Sequence, residues 1–269
     1  MSSATPSPSR PRRLTPNLRE RVWGRRRLAP WFADSDTPIG EAWYLAECEL
    51  PLLVKMLFTS ERLSVQVHPA DGEDGPRGKT EMWHILDAAP DATIALGFRQ
   101  PITRERLLES TKTGEIEQLL NWIPVRAGET YFVPAHTVHA IGAGIVLFEI
   151  QQHCDVTYRL WDYGRLREIH VDKAVPLSDL GVHPGASRPV PLAPGRTGLV
   201  RSKCFITERI DAPEFIAEPQ NCQLILCMEG EGAIGGEPAK AGEVWLLPPT
   251  PTAIEFRGRY LRTYAPEAA

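Results

Sequence analysis

The segments AGETYFVPAHTVHAI, Ala127–Ile141, and AGEVWLLPPTPTAIEF, Ala241–Phe256, read as two copies of one unit. Gly128 matches Gly242, Glu129 matches Glu243 and Pro134 matches Pro248, and in this register His139 falls opposite Ala253. Each copy is a short run of aromatic and aliphatic residues between a Gly-bearing and a Pro-bearing turn, the signature of a strand with its flanking turns. A repeat of this kind predicts a duplicated architecture. One copy keeps a histidine after its strand; the other only packs.

Outward from the repeat, the same texture continues. Runs such as Leu50–Leu57, Leu63–Val67, Met82–Leu86, Ile145–Gln151 and Leu224–Met228 are strand-like, and 25 Pro and 21 Gly separate them. Many short strands between turns predict an all-β sandwich or barrel. Thr103–Asn121 departs from this, with helix-spaced Leu107, Leu108, Ile116, Leu119 and Leu120, Thr103 as N-cap and Gly114 as a break. It predicts a small helical insert at about residues 101–121. The expected organisation is a solvated basic tail over residues 1–20, a first unit over 21–175, a Pro/Gly/Ser-rich linker over 176–197 and a second unit over 198–269.

Composition excludes several function classes. With 269 residues, 42% apolar and 24% charged, the chain can bury a core as one large domain or two modest ones. A net charge of -4 gives no overall basic footprint for nucleic acid. The arginines at 10, 12, 13, 19, 21, 25, 26 and 27 are a local exception, read as a solvated tail. Neither a secretory signal nor a run of roughly 18 apolar residues is present, so no membrane partner and a cytoplasmic location are expected. Cys48, Cys154, Cys204, Cys222 and Cys227 are odd in number and scattered, which argues against a disulfide framework or a thiolate zinc site.

Strand parity picks out a metal constellation. In Ser64–Pro69, SVQVHP, Gln66 and His68 are two apart and project to one face. In the strand near Thr80, Glu81, Trp83 and Ile85 share one face and Met82, His84 and Leu86 the other, so a site that contains Glu81 excludes His84. His139 brings a further imidazole from the strand-and-turn unit, whereas His136 sits in a turn of undefined geometry. An amide oxygen, two imidazoles and a carboxylate leave a coordination position open, as catalysis requires. That donor set suits zinc and also accepts manganese, iron or cobalt. Glu149 and Gln151 share a strand face by parity and are weaker candidates for the same cavity, while Trp83, Trp122, Tyr131, Phe132 and Phe148 are expected in the core.

Taken together, LSVQVHPAD, GKTEMWHIL, ETYFVPAHTVHAIGAGIVLFEIQQ and DVTYRLWDYGR resemble the type I phosphomannose isomerases in the short form without a large helical domain, over roughly Trp23 to Lys173. The resemblance implies double-stranded β-helix (cupin) jelly-roll barrels in two copies. It implies one Zn2+ per chain on Gln66, His68, Glu81 and His139, a sugar phosphate as small-molecule partner, and interconversion of mannose 6-phosphate and fructose 6-phosphate. Lys55, Lys79 and Arg159 match the family's active-site lysines and arginine; Glu41 and Trp43 match a G-E-x-W segment expected to be structural. Arg159 is expected to stabilise oxyanion charge or grip the phosphate, and Lys79, with Lys55 second, to carry or assist the proton, its pKa drawn down by a nearby cation. The family's P-A-G-T-V-H and Q-Q-x-S-D appear here with His136 and Cys154, and His136 is expected to alter the pocket rim. The competing readings are a non-catalytic, regulatory sugar-phosphate-binding cupin and, less well supported, an iron-dependent oxygenase.

Overall fold

The computed structural model describes residues 8–47 and 49–266; the N-terminal residues 1–7 and Cys48, both covered by the sequence reading, lie outside it. Among the described residues, twenty strands form three sheets. A six-stranded sheet runs Thr15–Arg25, Ile39–Leu45, Leu52–Phe58, Ile145–Gln152, Glu81–Ala88, Thr130–Val133. A five-stranded sheet runs Tyr158–Trp161, Val65–Val67, His139–Ile141, Thr93–Phe98, Leu120–Pro124. The remaining strands make a nine-stranded sheet that includes Asn221–Ile234, Val244–Leu246 and Thr252–Ala265.

The six-stranded sheet is the middle layer, which accounts for the near-continuous apolar runs that form it. One face carries Tyr44, Met56, Phe58, Met82 and Phe148 against Leu224, Leu226 and Leu261 of the nine-stranded sheet. The other carries Leu57, Trp83, Ile85 and Leu147 against Ile94, Leu96 and Ile141 of the five-stranded sheet. In Leu52–Phe58 every residue is buried and Lys55 alone is polar, so a lysine stands in the middle of the core and must be compensated there.

The helical insert covers the outer face of the five-stranded sheet. It comprises Arg104–Thr113 and Ile116–Leu119. The Thr103 hydroxyl accepts from Arg106 N–H at the N-terminus. Gly114, at φ 80°, closes the first helix in the left-handed conformation that a residue without Cβ adopts freely.

The arginine-rich segment is not a solvated tail over residues 12–20. Arg12–Arg13 joins the edge of the nine-stranded sheet beside Val244–Leu246, and Thr15–Arg25 is the edge strand of the six-stranded sheet. Buried Leu14 lies between the two. Acidic partners offset the charge of the segment at the surface: Arg12 pairs with Glu47, Arg13 with Glu243 at 2.8 Å and Arg21 with Glu41 at 2.6 Å. Residues 12–25 thus staple the second unit to the first. The supposed linker is also held, since His183 bonds Phe132 O at 2.8 Å and Ser187 N–H donates to Thr130 O at 2.8 Å. After Arg12–Arg13, the nine-stranded sheet resumes at Val190, ahead of residue 198.

Both copies of the repeat use one device. Glu129 Oε2 accepts from Arg126 N–H and Tyr131 O–H, each at 2.8 Å. Glu243 Oε2 accepts from Lys240 N–H at 3.3 Å and Trp245 Nε1–H at 3.1 Å. Gly128 and Gly242 match in backbone, at φ 89° and 83°.

Candidate metal centre and its cavity

Two sheets face each other across the centre. On the five-stranded sheet, Arg159 is paired in register with Gln66, and Gln66 with His139, so these three form one row across neighbouring strands. On the six-stranded sheet, Lys55 pairs with Glu149 and Glu149 with Trp83, while Gln151 pairs with Glu81 in the next inward-facing row. His68 follows the Val65–Val67 strand and is itself followed by Pro69, which cannot donate to a ladder.

His68, Glu81 and His139 are buried, and their ligand atoms lie within 4.8 Å of one another. His68 Nδ1 is 2.9 Å from Val156 O and His139 Nδ1 is 2.8 Å from Thr137 O. A carbonyl only accepts, so each Nδ1 carries the hydrogen and each Nε2 turns a lone pair inward. The Nε2 atoms stand 3.6 Å from Glu81 Oε2 and Oε1 respectively. Burial holds His68 well below the ordinary imidazole range and pushes His139 down to about 4, which keeps both rings neutral, as metal binding requires. Trp83 Nε1–H donates to Glu81 Oε1 at 3.0 Å and its ring meets His139 edge-on at 5.4 Å.

Gln66 stands beside this cluster. Ser64 Oγ–H donates to Gln66 Oε1 at 3.2 Å, and the amide nitrogen faces His139 Nε2 at 3.3 Å; a cation calls for the oxygen, which a half-turn of the amide supplies. Two neutral imidazoles, a carboxylate and an amide fit a divalent ion. His84, as parity demands, points away and bonds Thr130 Oγ1 at 2.8 Å.

Lys79 Nζ lies 2.8 Å from Glu81 Oε2 and 2.9 Å from His68 Nε2. Burial works against its charge, but Glu81, Glu149 and Asp155 outweigh that and hold its pKa above the ordinary lysine range. The net effect of the protein's own groups on Lys79 is therefore upward, opposite to the expected direction. Glu81 is pushed up by burial and by the charge of Glu149, against the pull of Lys79. Glu149 is also buried, yet the charges of Lys79 and Lys55 bring it below the usual carboxylate range. Lys55 meets Glu149 at 3.2 Å and lies 4.3 Å above the Trp43 ring.

A cavity of about 440 Å³ opens over this centre, and Gln66, Lys55, Lys79, Glu149 and Arg159 all line it. Glu41, expected to be structural, lines it as well. So do Arg21, Trp23, Arg167 and His170, which sequence reasoning missed. The Thr15–Arg25 strand breaks register between Arg19 and Glu20 and again before Arg25, and parity cannot be carried across such breaks. His136 does not line the cavity. It adopts φ 72°, bonds Glu73 Oε2 at 2.7 Å and donates its N–H to His68 O at 2.9 Å.

The second unit holds the counterpart of this centre with its charges exchanged. Trp245, opposite Tyr131 in the repeat, pairs with Ile225; Ile225 pairs with Arg262, and Arg262 with Glu208. In the first unit the same path runs Tyr131, Trp83, Glu149, Lys55. Arg262 therefore takes the place of Glu149 and Glu208 that of Lys55, while Gln223, two residues before Ile225, takes that of Glu81; Ala253, opposite His139 in the repeat, is exposed. Arg262 is buried and bonds Gln223 Oε1 at 2.6 Å, Glu218 O at 2.9 Å and Glu208 Oε1 at 3.5 Å.

Fold and centre together define a two-copy cupin protein with a cation-ready site in its first copy. The Bacillus subtilis protein "Mannose-6-phosphate isomerase ManA" is 36% identical over 228 residues, 74% of this chain and 69% of that one. A crystal structure of mannose 6-phosphate isomerase from Bacillus subtilis superposes with a TM-score of 0.86 at 26% identity, covering 95% of this chain and all of the other. A solved mannose 6-phosphate isomerase bound with zinc and yttrium gives a TM-score of 0.74 at 18% identity over 96% of this chain and 100% of that one, a likeness of fold. No protein-family model matches. The chain belongs to the mannose-6-phosphate isomerase family. Among the described residues, no helix is long and apolar enough to cross a membrane.

Proposed function

We propose that the protein interconverts mannose 6-phosphate and fructose 6-phosphate, with one zinc ion per chain held by Gln66, His68, Glu81 and His139. The observation that carries this reading is the cavity in which Lys55, Lys79, Glu149 and Arg159 converge on the His68–Glu81–His139 cluster. Zinc bound by these residues would supply Lewis-acid polarisation of the sugar's oxygens. The aldose-to-ketose change removes a proton from C2, returns one to C1, and shifts a hydroxyl proton between their oxygens through an enediol. Glu149, kept ionised between two lysines, is the group suited to accept the carbon-bound proton. Lys79 is suited to donate a hydrogen bond or a proton to the developing oxyanion, and Lys55 holds Glu149 in place. Arg159 offers positive charge to the same oxyanion or to the phosphate.

A coupled assay on zinc-loaded protein tests the reading. Turnover of mannose 6-phosphate that is lost on chelation and restored by zinc is expected. Glu81→Ala is expected to lose both metal and activity, and Arg159→Ala activity alone. Saturable binding of the sugar phosphate with no turnover by metal-loaded protein would overturn the isomerase reading in favour of a binding protein.

A further inference from the structure

Arg21 and Arg167 reach the cavity from outside the metal row. Arg21 leaves the edge strand Thr15–Arg25 and Arg167 follows the Tyr158–Trp161 strand, so they approach from different sheets with Arg159 in the same lining. Each of the outer two is oriented by a carboxylate. Arg21 Nη2 meets Glu41 at 2.6 Å. Arg167 binds Asp162 through Nε and Nη2, both at 2.6 Å, which leaves Nη1 uncommitted. Arg159 has no acidic partner among the described residues, and its buried Nε finds no acceptor.

His170 is locked into the same group. Arg159 N–H donates to His170 Nδ1 at 3.1 Å, and His170 N–H donates to Arg159 O at 2.8 Å. With Nδ1 accepting, the ring's remaining hydrogen is on Nε2 in the neutral form, and His170 also lines the cavity. Cations of the lining outnumber its carboxylates: Arg21, Lys55, Lys79, Arg159 and Arg167 face Glu41, Glu149 and Asp155. Asp162 and Glu81, behind the lining, pair with Arg167 and Lys79, so the cation left without a paired carboxylate among the described residues is Arg159, for which a phosphate monoester, with about two negative charges near neutral pH, is a matching anion. Burial and the neighbouring Arg167 both oppose the charge on Arg159, an arrangement that an anion between the guanidinium groups relieves.

We infer that Arg21, Arg159, Arg167 and His170 form an oxyanion seat that takes the substrate's phosphate and selects phosphorylated over free sugar. The sugar half of this inference rests on the isomerase reading; the anion half does not. Arg159 is one strand from Gln66 and two from His139, roughly 10 Å across the sheet, so a sugar carrying its phosphate at the far end of a six-carbon chain spans from this seat to the metal. The arginine-rich segment at the N-terminus thereby contributes a binding residue.

The test measures binding of inorganic phosphate to metal-loaded protein by calorimetry, alongside mannose 6-phosphate kinetics, for wild type, Arg21→Met and Arg167→Met. Each variant is expected to weaken phosphate binding about tenfold to a hundredfold, the worth of one charge-assisted hydrogen bond. KM is expected to rise with kcat changed less, at unchanged metal content. Arg21→Lys and Arg167→Lys keep the charge and lose the fork; they cover the case of a methionine variant that fails to fold, and are expected to fall between wild type and methionine. Wild type that binds no phosphate, or variants that bind it and mannose 6-phosphate as wild type does, would overturn the seat. Arginine-dependent phosphate binding without turnover leaves the seat standing and removes the isomerase reading; turnover without arginine-dependent binding does the reverse.

Discussion

Lys55 Nζ and Glu149 Oε1 stand 3.2 Å apart in the middle of the molecule, on adjacent strands and both almost fully buried. Breaking such a pair from one side leaves a charge in the core without its partner, at a cost of about 3–5 kcal/mol. Glu149→Leu is expected to lower the urea midpoint accordingly. The Lys55→Met, Glu149→Leu double variant is expected to recover most of that stability while remaining inactive. A double variant no more stable than the single one would show that the pair itself does not set the cost.

Trp83 holds Glu81 by one hydrogen bond and braces His139 by its ring edge. Trp83→Phe keeps the ring and removes the bond. Metal affinity, measured by competition with a chromogenic chelator, is expected to fall about tenfold to a hundredfold, as for other groups that orient a ligand. Unchanged affinity would show that Glu81 needs no such orientation.

His84 gives the fold a dependence on pH. Burial, with smaller contributions from Arg209 and Arg259, lowers its pKa from 6.5 to about 4. Its folded pKa is below its unfolded one, so its contribution is fully present above pH 6.5 and is lost as the pH falls toward 4. The shift corresponds to about 3 kcal/mol at most. His84→Gln is expected to remove that part of the acid sensitivity, seen as a smaller fall in urea midpoint between pH 7 and pH 5 than in wild type.

His136 occupies a left-handed position where the family pattern has glycine, at φ 72°. A residue with Cβ in that conformation costs about 1–3 kcal/mol, against about 0–1 kcal/mol returned by a half-exposed pair such as that with Glu73. His136→Gly is therefore expected to raise the melting temperature by a few degrees with the active cavity unaltered. A lower melting temperature would mean that the Glu73 contact outweighs the strain.

Much of the first unit was legible because two periodicities carry it. Alternation placed Gln66, Glu81 and Trp83 inward and His84 outward, and the helix spacing after Thr103 marked the insert. Thr130–Val133 was delimited by its own turns. The Lys55–Glu149 contact was half legible: parity admitted Glu149, but pairing across strands is a tertiary fact. Arg21 and Arg167 were not legible at all, since one follows a register break and the other lies beyond the end of its strand. The folding of residues 12–20 is not legible in their charge density, because Glu41, Glu47 and Glu243 come near the arginines only on folding.

The guanidinium of Arg262 in the second unit implies a division of labour in how the two halves depend on their surroundings. The duplicated copy carries its own counter-ion in its covalent structure, so its folding is expected to be indifferent to metal supply. A cell short of metal would then accumulate chains whose supporting layer is complete and whose working site awaits only an ion. Activity in such a population would return on metal addition without refolding.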